Sequence, residues 1–198
     1  MAASSRPVAI GSAAPDFELP DGDGWRHKLH EVAGNAGTLV AFLCNHCPYV
    51  LHMRDALDQY AREYEGKGIR VVGINPNDPS AYPEETPERI AEVAKSLSFP
   101  YLVDVDQEVA IAYDAACTPD LYLFDRSLRL HYHGRFDATR PGAGVPNGAD
   151  LRAATARLLA GMPADQPQHH SVGCSIKWKQ GRAPHVQGAG FGKSAGFV

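Results

Sequence analysis

Cys44 and Cys47 lie three positions apart in the stretch LCNHCPYVLHM, between an apolar run and a helical pattern. A Cys-x-x-Cys pair can attack a disulfide or a peroxide through a thiolate, or it can hold a soft metal ion. A redox cysteine needs its thiolate, and a helix N-terminus stabilises that anion through free N–H groups and the helix dipole. In one reading Cys44 caps the helix and Cys47 sits a turn inside it. In the other Cys47 is the cap and Pro48 takes the first helical position, where its missing N–H costs nothing. The first reading leaves no residue between strand and helix, whereas the second makes "CNH" the connecting loop. The sequence therefore favours Cys47 as nucleophile, with Cys44 just before it and near enough to serve as a resolving thiol. Pro48 and Tyr49 complete the helix start, and Tyr49 is placed to shield the sulfur.

The elements that must position these residues follow from periodicity. "GTLVAFL" (37–43) is a continuous apolar run, as in a strand buried on both faces. Val50, Met53, Leu57, Tyr60, Ala61 and Tyr64 then recur at helical spacing up to "GKG" at 66–68. "IRVVGIN" (69–75) reads as a second buried strand, which makes a right-handed parallel unit. After a loop rich in Pro, Asn and Asp (76–85), Thr86 and Pro87 open a helix to about Ser96. "YLVDVD" and "EVAIAYDA" predict a short extended piece and a short helix. "DLYLFD" (120–125) and "RLHYHGRF" (129–136) flank the turn "RS" as a hairpin, and residues 148–161 form a last amphipathic helix. This order implies an α/β domain over residues 1–163, with a mixed central sheet covered by helices on both faces. Residues 164–198 read as an irregular C-terminal arm carrying Cys174, ending in a Gly-rich tail expected to be disordered.

Composition narrows the function. A chain of 198 residues with 44% hydrophobic content suits one domain with a real core, and the net charge of −4 gives no electrostatic reason to bind nucleic acid. No apolar run reaches membrane-span length, and the opening residues lack the apolar core of a signal peptide, so a cytoplasmic protein is expected, with no membrane partner. Four cysteines are too few for a disulfide scaffold, which directs attention to redox or metal chemistry. Zinc or copper(I) held by Cys44, Cys47, His46 and His52 is the rival reading, but no second Cys-x-x-Cys or closely spaced His pair completes the set. His131 and His133 alternate with Tyr132 along a strand and are expected to face solvent. "GAGFGKS" has no strand before it or helix after it, so no organic cofactor is expected.

"APDFELPDGDG", "TLVAFLCNHCPYV" and "FPYLVDVDQEVAIAYDAACTPDLYLFD" resemble the peroxiredoxin-like (alkyl hydroperoxide reductase/thiol-specific antioxidant) branch of the thioredoxin superfamily, over roughly residues 8–163. The resemblance implies a thioredoxin-like fold. It also implies that Thr118-Pro119 is the superfamily's Thr-Pro, with a cis proline facing the active cysteine and backbone exposed for an extended thiol or peptide substrate. Cys117 should then lie close to the site. "VGCSIKWKQG" is similar to the C-terminal segment of two-cysteine peroxiredoxins, and Cys174 matches their resolving cysteine. Ser175 replaces the proline that follows it there.

The sequence departs from both parents. Where peroxiredoxins place a proline and a threonine before the reactive cysteine, this chain has Val40 and Cys44, and the place of their arginine falls at or next to Pro119. Arg135 could supply a cation, but a surface ion pair with Asp137 is the simpler expectation. The buried acid of thioredoxins is replaced by Ala41. The expected activity is thiol–disulfide exchange with a thiol or disulfide protein or a small thiol reductant. The alternative is a thiol peroxidase acting on hydroperoxides, with Cys47 peroxidatic and Cys174 or Cys44 resolving.

Overall fold

The computed structural model describes residues 2–80, 82–165 and 167–184. Its elements in chain order are β1 (Ala2–Ser4), β2 (Glu18–Pro20), β3 (Arg26–Lys28), α1 (Leu29–Val32), β4 (Gly37–Phe42), α2 (Pro48–Glu65) and β5 (Ile69–Asn75). A 3₁₀ turn (Pro83–Glu85) leads to α3 (Pro87–Ala94), β6 (Tyr101–Val103), α4 (Glu108–Ala112), β7 (Cys117–Thr118), β8 (Asp120–Asp125), β9 (Leu130–Gly134), α5 (Ala149–Leu159) and β10 (Val172–Ser175). The Gly-rich tail lies outside the described residues.

Every residue of β4 is buried, because the strand is central in the order β6-β5-β4-β8-β9 and both its faces are covered. It runs parallel to β5 and antiparallel to β8. The pleat sends Leu39 and Ala41 into one core with the apolar face of α2, and Val40 and Phe42 into the other with Tyr113, Tyr122 and Phe124. The six apolar residues that mark α2 in the sequence are its buried residues. Val50, Met53 and Leu57 contribute about 1.5–3 kcal/mol apiece when fully buried, and Ala61 less. Thr155 Oγ1 on α5 donates to the Leu151 carbonyl and accepts from the Tyr60 hydroxyl at 2.6 Å, which ties α5 to α2. The thioredoxin-like mixed sheet with helices on both faces is therefore the architecture of the chain.

A second, three-stranded sheet has the order β1-β10-β7, all antiparallel. Within the arm, β10 is thus a strand held on both sides rather than irregular chain. Beyond it, Lys177 N–H donates to Asn77 Oδ1 at 2.8 Å, and the Gln107 amide bonds both the Lys177 carbonyl and the Lys179 N–H. Ile176 is buried in the second core, with Trp178 packed against it. The local sequence carries little sign of this strand, since four residues with a central glycine have no usable period. No described helix is long and apolar enough to cross a membrane.

Candidate active site

β4 ends at Phe42, and residues 43–46 carry the chain to the start of α2. Cys47 is the N-cap of α2 with an extended backbone (φ −71°, ψ 123°), Pro48 is the first helical residue, and the Leu51 N–H bonds the Cys47 carbonyl at 3.0 Å. Cys44 lies in the preceding loop. Both sulfurs meet Thr118: Cys44 Sγ is 3.0 Å from Thr118 Oγ1, and Cys47 Sγ is 3.2 Å from the Thr118 carbonyl oxygen. The Thr118–Pro119 peptide is cis. On the other side β10 places Cys174 opposite Thr118, so that Cys44 and Cys174 both reach Cys47. Cys117 is wholly buried one residue before Thr118, and its sulfur faces the Pro119 carbonyl at 3.5 Å. All four thiols of the chain thus gather at one end of β4, and all are free.

The thiols are not equivalent. A hydrogen bond from Cys44 pulls the Cys47 thiol down to about 5, against the effect of burial, with further help from the Cys174 thiol and the Val50 N–H. Donating that hydrogen bond raises Cys44 far above an ordinary thiol, and burial adds to it. Burial, then the hydrogen bond to Cys47, pushes Cys174 up to about 11. Burial also raises Cys117. The Thr118 carbonyl opposes ionisation, since it can accept from the Cys47 thiol but repels the thiolate. The balance leaves one thiolate between two protonated thiols.

This sets a pH signature. The Cys47 ionisation is depressed from 9.0 to about 5, so its contribution to stability is fully present above pH 9 and is lost as the pH falls through about 5. Alkylation of Cys47 should follow the same ionisation, reaching its plateau about one pH unit above that midpoint. An ordinary thiol would still be gaining rate near pH 9. Iodoacetamide labelling read by peptide mass spectrometry measures the midpoint, and a value near 9 would refute the assignment.

Sequence reasoning missed Glu85. It is the last residue of the 3₁₀ turn, its side chain is wholly buried, and it lies beneath the loop between the two cysteines. Its carboxylate accepts from the backbone N–H of Asn45 (3.0 Å) and of His46 (3.1 Å), and from Asn75 Nδ2 (2.6 Å). It also pairs with His46 Nδ1. His46 stacks on Tyr82 with ring centroids 4.3 Å apart. Cys44, His46 and Glu85 bring their donor atoms within 4.8 Å of one another, but four hydrogen-bond donors already occupy the carboxylate. The only signal in the sequence was an acid directly before the Thr86 cap, in a segment that read as a loop rich in Pro, Asn and Asp.

Two further expectations need correction. Arg135 pairs with Asp150 at 2.6 Å, not with Asp137, whose carboxylate instead binds the N–H groups of Thr139, Asn147 and Gly148. Among the described residues no arginine hydrogen-bonds either sulfur of the Cys-x-x-Cys pair. His133 does not face solvent: its Nε2 lies 2.9 Å from Asp120 Oδ1, and its ring stacks on Tyr122. Gln168 of the arm covers that strand by accepting from the His133 N–H, a long-range contact that alternation cannot show. His52 bonds Thr139 Oγ1 rather than joining Cys44 and Cys47. Pro48 is exposed, and Tyr49, half-buried, lines a cavity of about 40 Å³ with His52, Met53 and Pro119. A larger cavity of about 310 Å³, lined by His27, Glu31, Arg70 and Phe99 among others, includes none of the cysteines.

Residues 10–133 match the AhpC/TSA family. Over 123 residues the chain is 28% identical to the thiol-disulfide oxidoreductase ResA of Geobacillus thermodenitrificans, covering 62% of this chain and 67% of that one. It is 26% identical over 103 residues to the 1-Cys peroxiredoxin PER1 of Hordeum vulgare, covering 50% and 46%. A hypothetical protein of Sinorhizobium meliloti 1021 has a crystal structure that superposes with a TM-score of 0.87 at 48% identity, covering 90% of this chain and 99% of that one. With a family match over more than half its length and a thiolate-favouring Cys-x-x-Cys at the head of α2, the chain belongs to the AhpC/TSA family, as a thiol oxidoreductase of the thioredoxin type.

Proposed function

We propose that the protein catalyses thiol–disulfide exchange through Cys47. The observation that carries this is the Cys47 sulfur at the N-cap of α2 with two protonated thiols, Cys44 and Cys174, within reach. Cys47 attacks a disulfide sulfur and Cys44 resolves the mixed disulfide, with Cys174 as a second resolving thiol. Thr118 and Pro119 form the substrate-facing edge, with Cys117 behind it and Pro48 and Tyr49 at the rim. The partners are a thiol or disulfide protein or a small thiol reductant, and the chemistry belongs in the cytoplasm, where few cysteines and no disulfide framework are usual. Peroxide reduction is the second reading. The closeness of Cys174 to Cys47 favours it, since a sulfenic acid formed there would meet a resolving thiol at once. Among the described residues no arginine or lysine hydrogen-bonds the Cys47 sulfur, which argues against it, because a cation there would polarise the peroxide.

One equivalent of hydrogen peroxide added to the fully reduced protein separates the two, with disulfides mapped by peptide mass spectrometry over time. Exchange chemistry is expected to give slow oxidation ending in Cys44–Cys47. A Cys47–Cys174 bond formed within seconds would make the protein a peroxidase with a C-terminal resolving arm, an antioxidant.

A further inference from the structure

The Cys47 sulfur is wholly buried, although it is the thiol poised to ionise. An incoming disulfide sulfur has to touch it. What touches it now, from the side facing the β7 edge, is this chain's own β10, paired antiparallel with Cys174 opposite Thr118 and Ser175 opposite Cys117. Cys174 is partly exposed, so solvent reaches the covering strand. The residue before it approaches Thr118 very closely. A Cβ at Gly173 would stand 2.0 Å from the Thr118 carbonyl oxygen, 2.6 Å from its carbon and 3.0 Å from Pro119 Cδ. Gly173 has no positive φ, so the glycine is required by close approach and not by backbone conformation.

We infer that the β7 edge takes an extended polypeptide disulfide whose reacting cysteine is directly preceded by glycine, and that β10 is a built-in copy of such a segment, displaced before a protein substrate is reduced. The inference rests on exchange at Cys47. In the displaced state the substrate backbone pairs with β7 as β10 does, and its cysteine takes the place of Cys174. The Cys47 thiolate attacks that sulfur, forms a Cys47–substrate bond and expels the substrate's other sulfur as a thiolate. Cys44 gives its proton to that leaving thiolate and attacks Cys47 Sγ, which releases the second substrate thiolate and leaves a Cys44–Cys47 disulfide. The substrate gains the two electrons that the protein pair loses. A side chain at the position of Gly173 would strike the Thr118 backbone, which cannot move away without disturbing the contacts that hold both active sulfurs.

The test uses the full-length reduced protein in single turnover. The probe is the peptide SVGCSI, residues 171–176, with its cysteine joined to thionitrobenzoate, beside a second peptide with alanine in place of the glycine; a symmetrical nitrobenzoate disulfide serves as a small control. The glycine peptide is expected to release thionitrobenzoate at least roughly tenfold faster than the alanine peptide. Gly173→Ala in the protein should weaken the arm, accelerating both the glycine peptide and alkylation of Cys47 by roughly tenfold. Gln107→Ala, which removes two of the hydrogen bonds that hold the arm, at the Lys177 carbonyl and the Lys179 N–H, should act in the same direction if Gly173→Ala fails to fold. Equal rates for the two peptides would overturn the glycine requirement while leaving exchange intact. No acceleration in either folded variant would overturn displacement of the arm. Failure to reduce even the small control would instead strike the exchange reading itself.

Discussion

Cys47→Ser is expected to lower single-turnover disulfide reduction by at least ~10³-fold. A serine hydroxyl does not ionise near neutral pH, so the hydrogen bonds that hold a thiolate at this N-cap would have no anion to stabilise. The substitution changes volume little at a wholly buried site, and thermal melting should show the fold retained. Cys44→Ser should behave differently. Its hydroxyl can still donate to Cys47, so the first attack survives and the reaction stops at a mixed disulfide that mass spectrometry can count. Cys44→Ala removes the largest influence favouring the thiolate and should move the Cys47 ionisation upward. If Cys47→Ser retained full activity while Cys44→Ser lost it, the roles would be reversed.

Glu85→Ala should cost about 3–5 kcal/mol of stability, a large share of the roughly 5–15 kcal/mol that holds a domain together. The carboxylate accepts from two consecutive backbone N–H groups of the Cys-x-x-Cys loop, from the His46 ring and from Asn75, and alanine would take this acceptor from all four donors, leaving Asn75 Nδ2 only the Tyr101 hydroxyl. Glu85→Gln keeps the size but turns an amide NH₂ toward some of those donors, so its loss should be intermediate. The glutamine variant also removes a negative charge that raises the Cys44 thiol, and Cys44 should ionise more easily. Urea denaturation and thiol titration check the two effects. A loss below ~1 kcal/mol for the alanine variant would show that the loop does not depend on this acid.

What the sequence made legible was what short-range pattern controls. β4, β5, β8 and α2 were marked by apolar runs or by spacing along one face, and Cys47 as N-cap followed from Pro48 and the loop length. Glu85, the Asp120–His133 pair and the strand at 172–175 were not legible. Each is fixed by a partner about thirty or more residues away, or by burial that arises only when loops and arm close over the sheet. His133 illustrates the failure: alternation placed it outward, and it does point away from Tyr132, but that side is the face of the second core, where its ring stacks on Tyr122 and its Nε2 meets Asp120.

The pairing of β10 between β1 and β7 also bears on the order of synthesis. All five strands of the main sheet, β4, β5, β6, β8 and β9, emerge from the ribosome before β10 exists. Residue 2 meets residue 174 across the strand, among the most distant pairings the described chain makes. A nascent chain can therefore assemble its central sheet while the Cys47 sulfur still lacks the Cys174 thiol and its covering strand. The reactive thiol is most open to stray oxidants during that interval, and docking of β10 ends it.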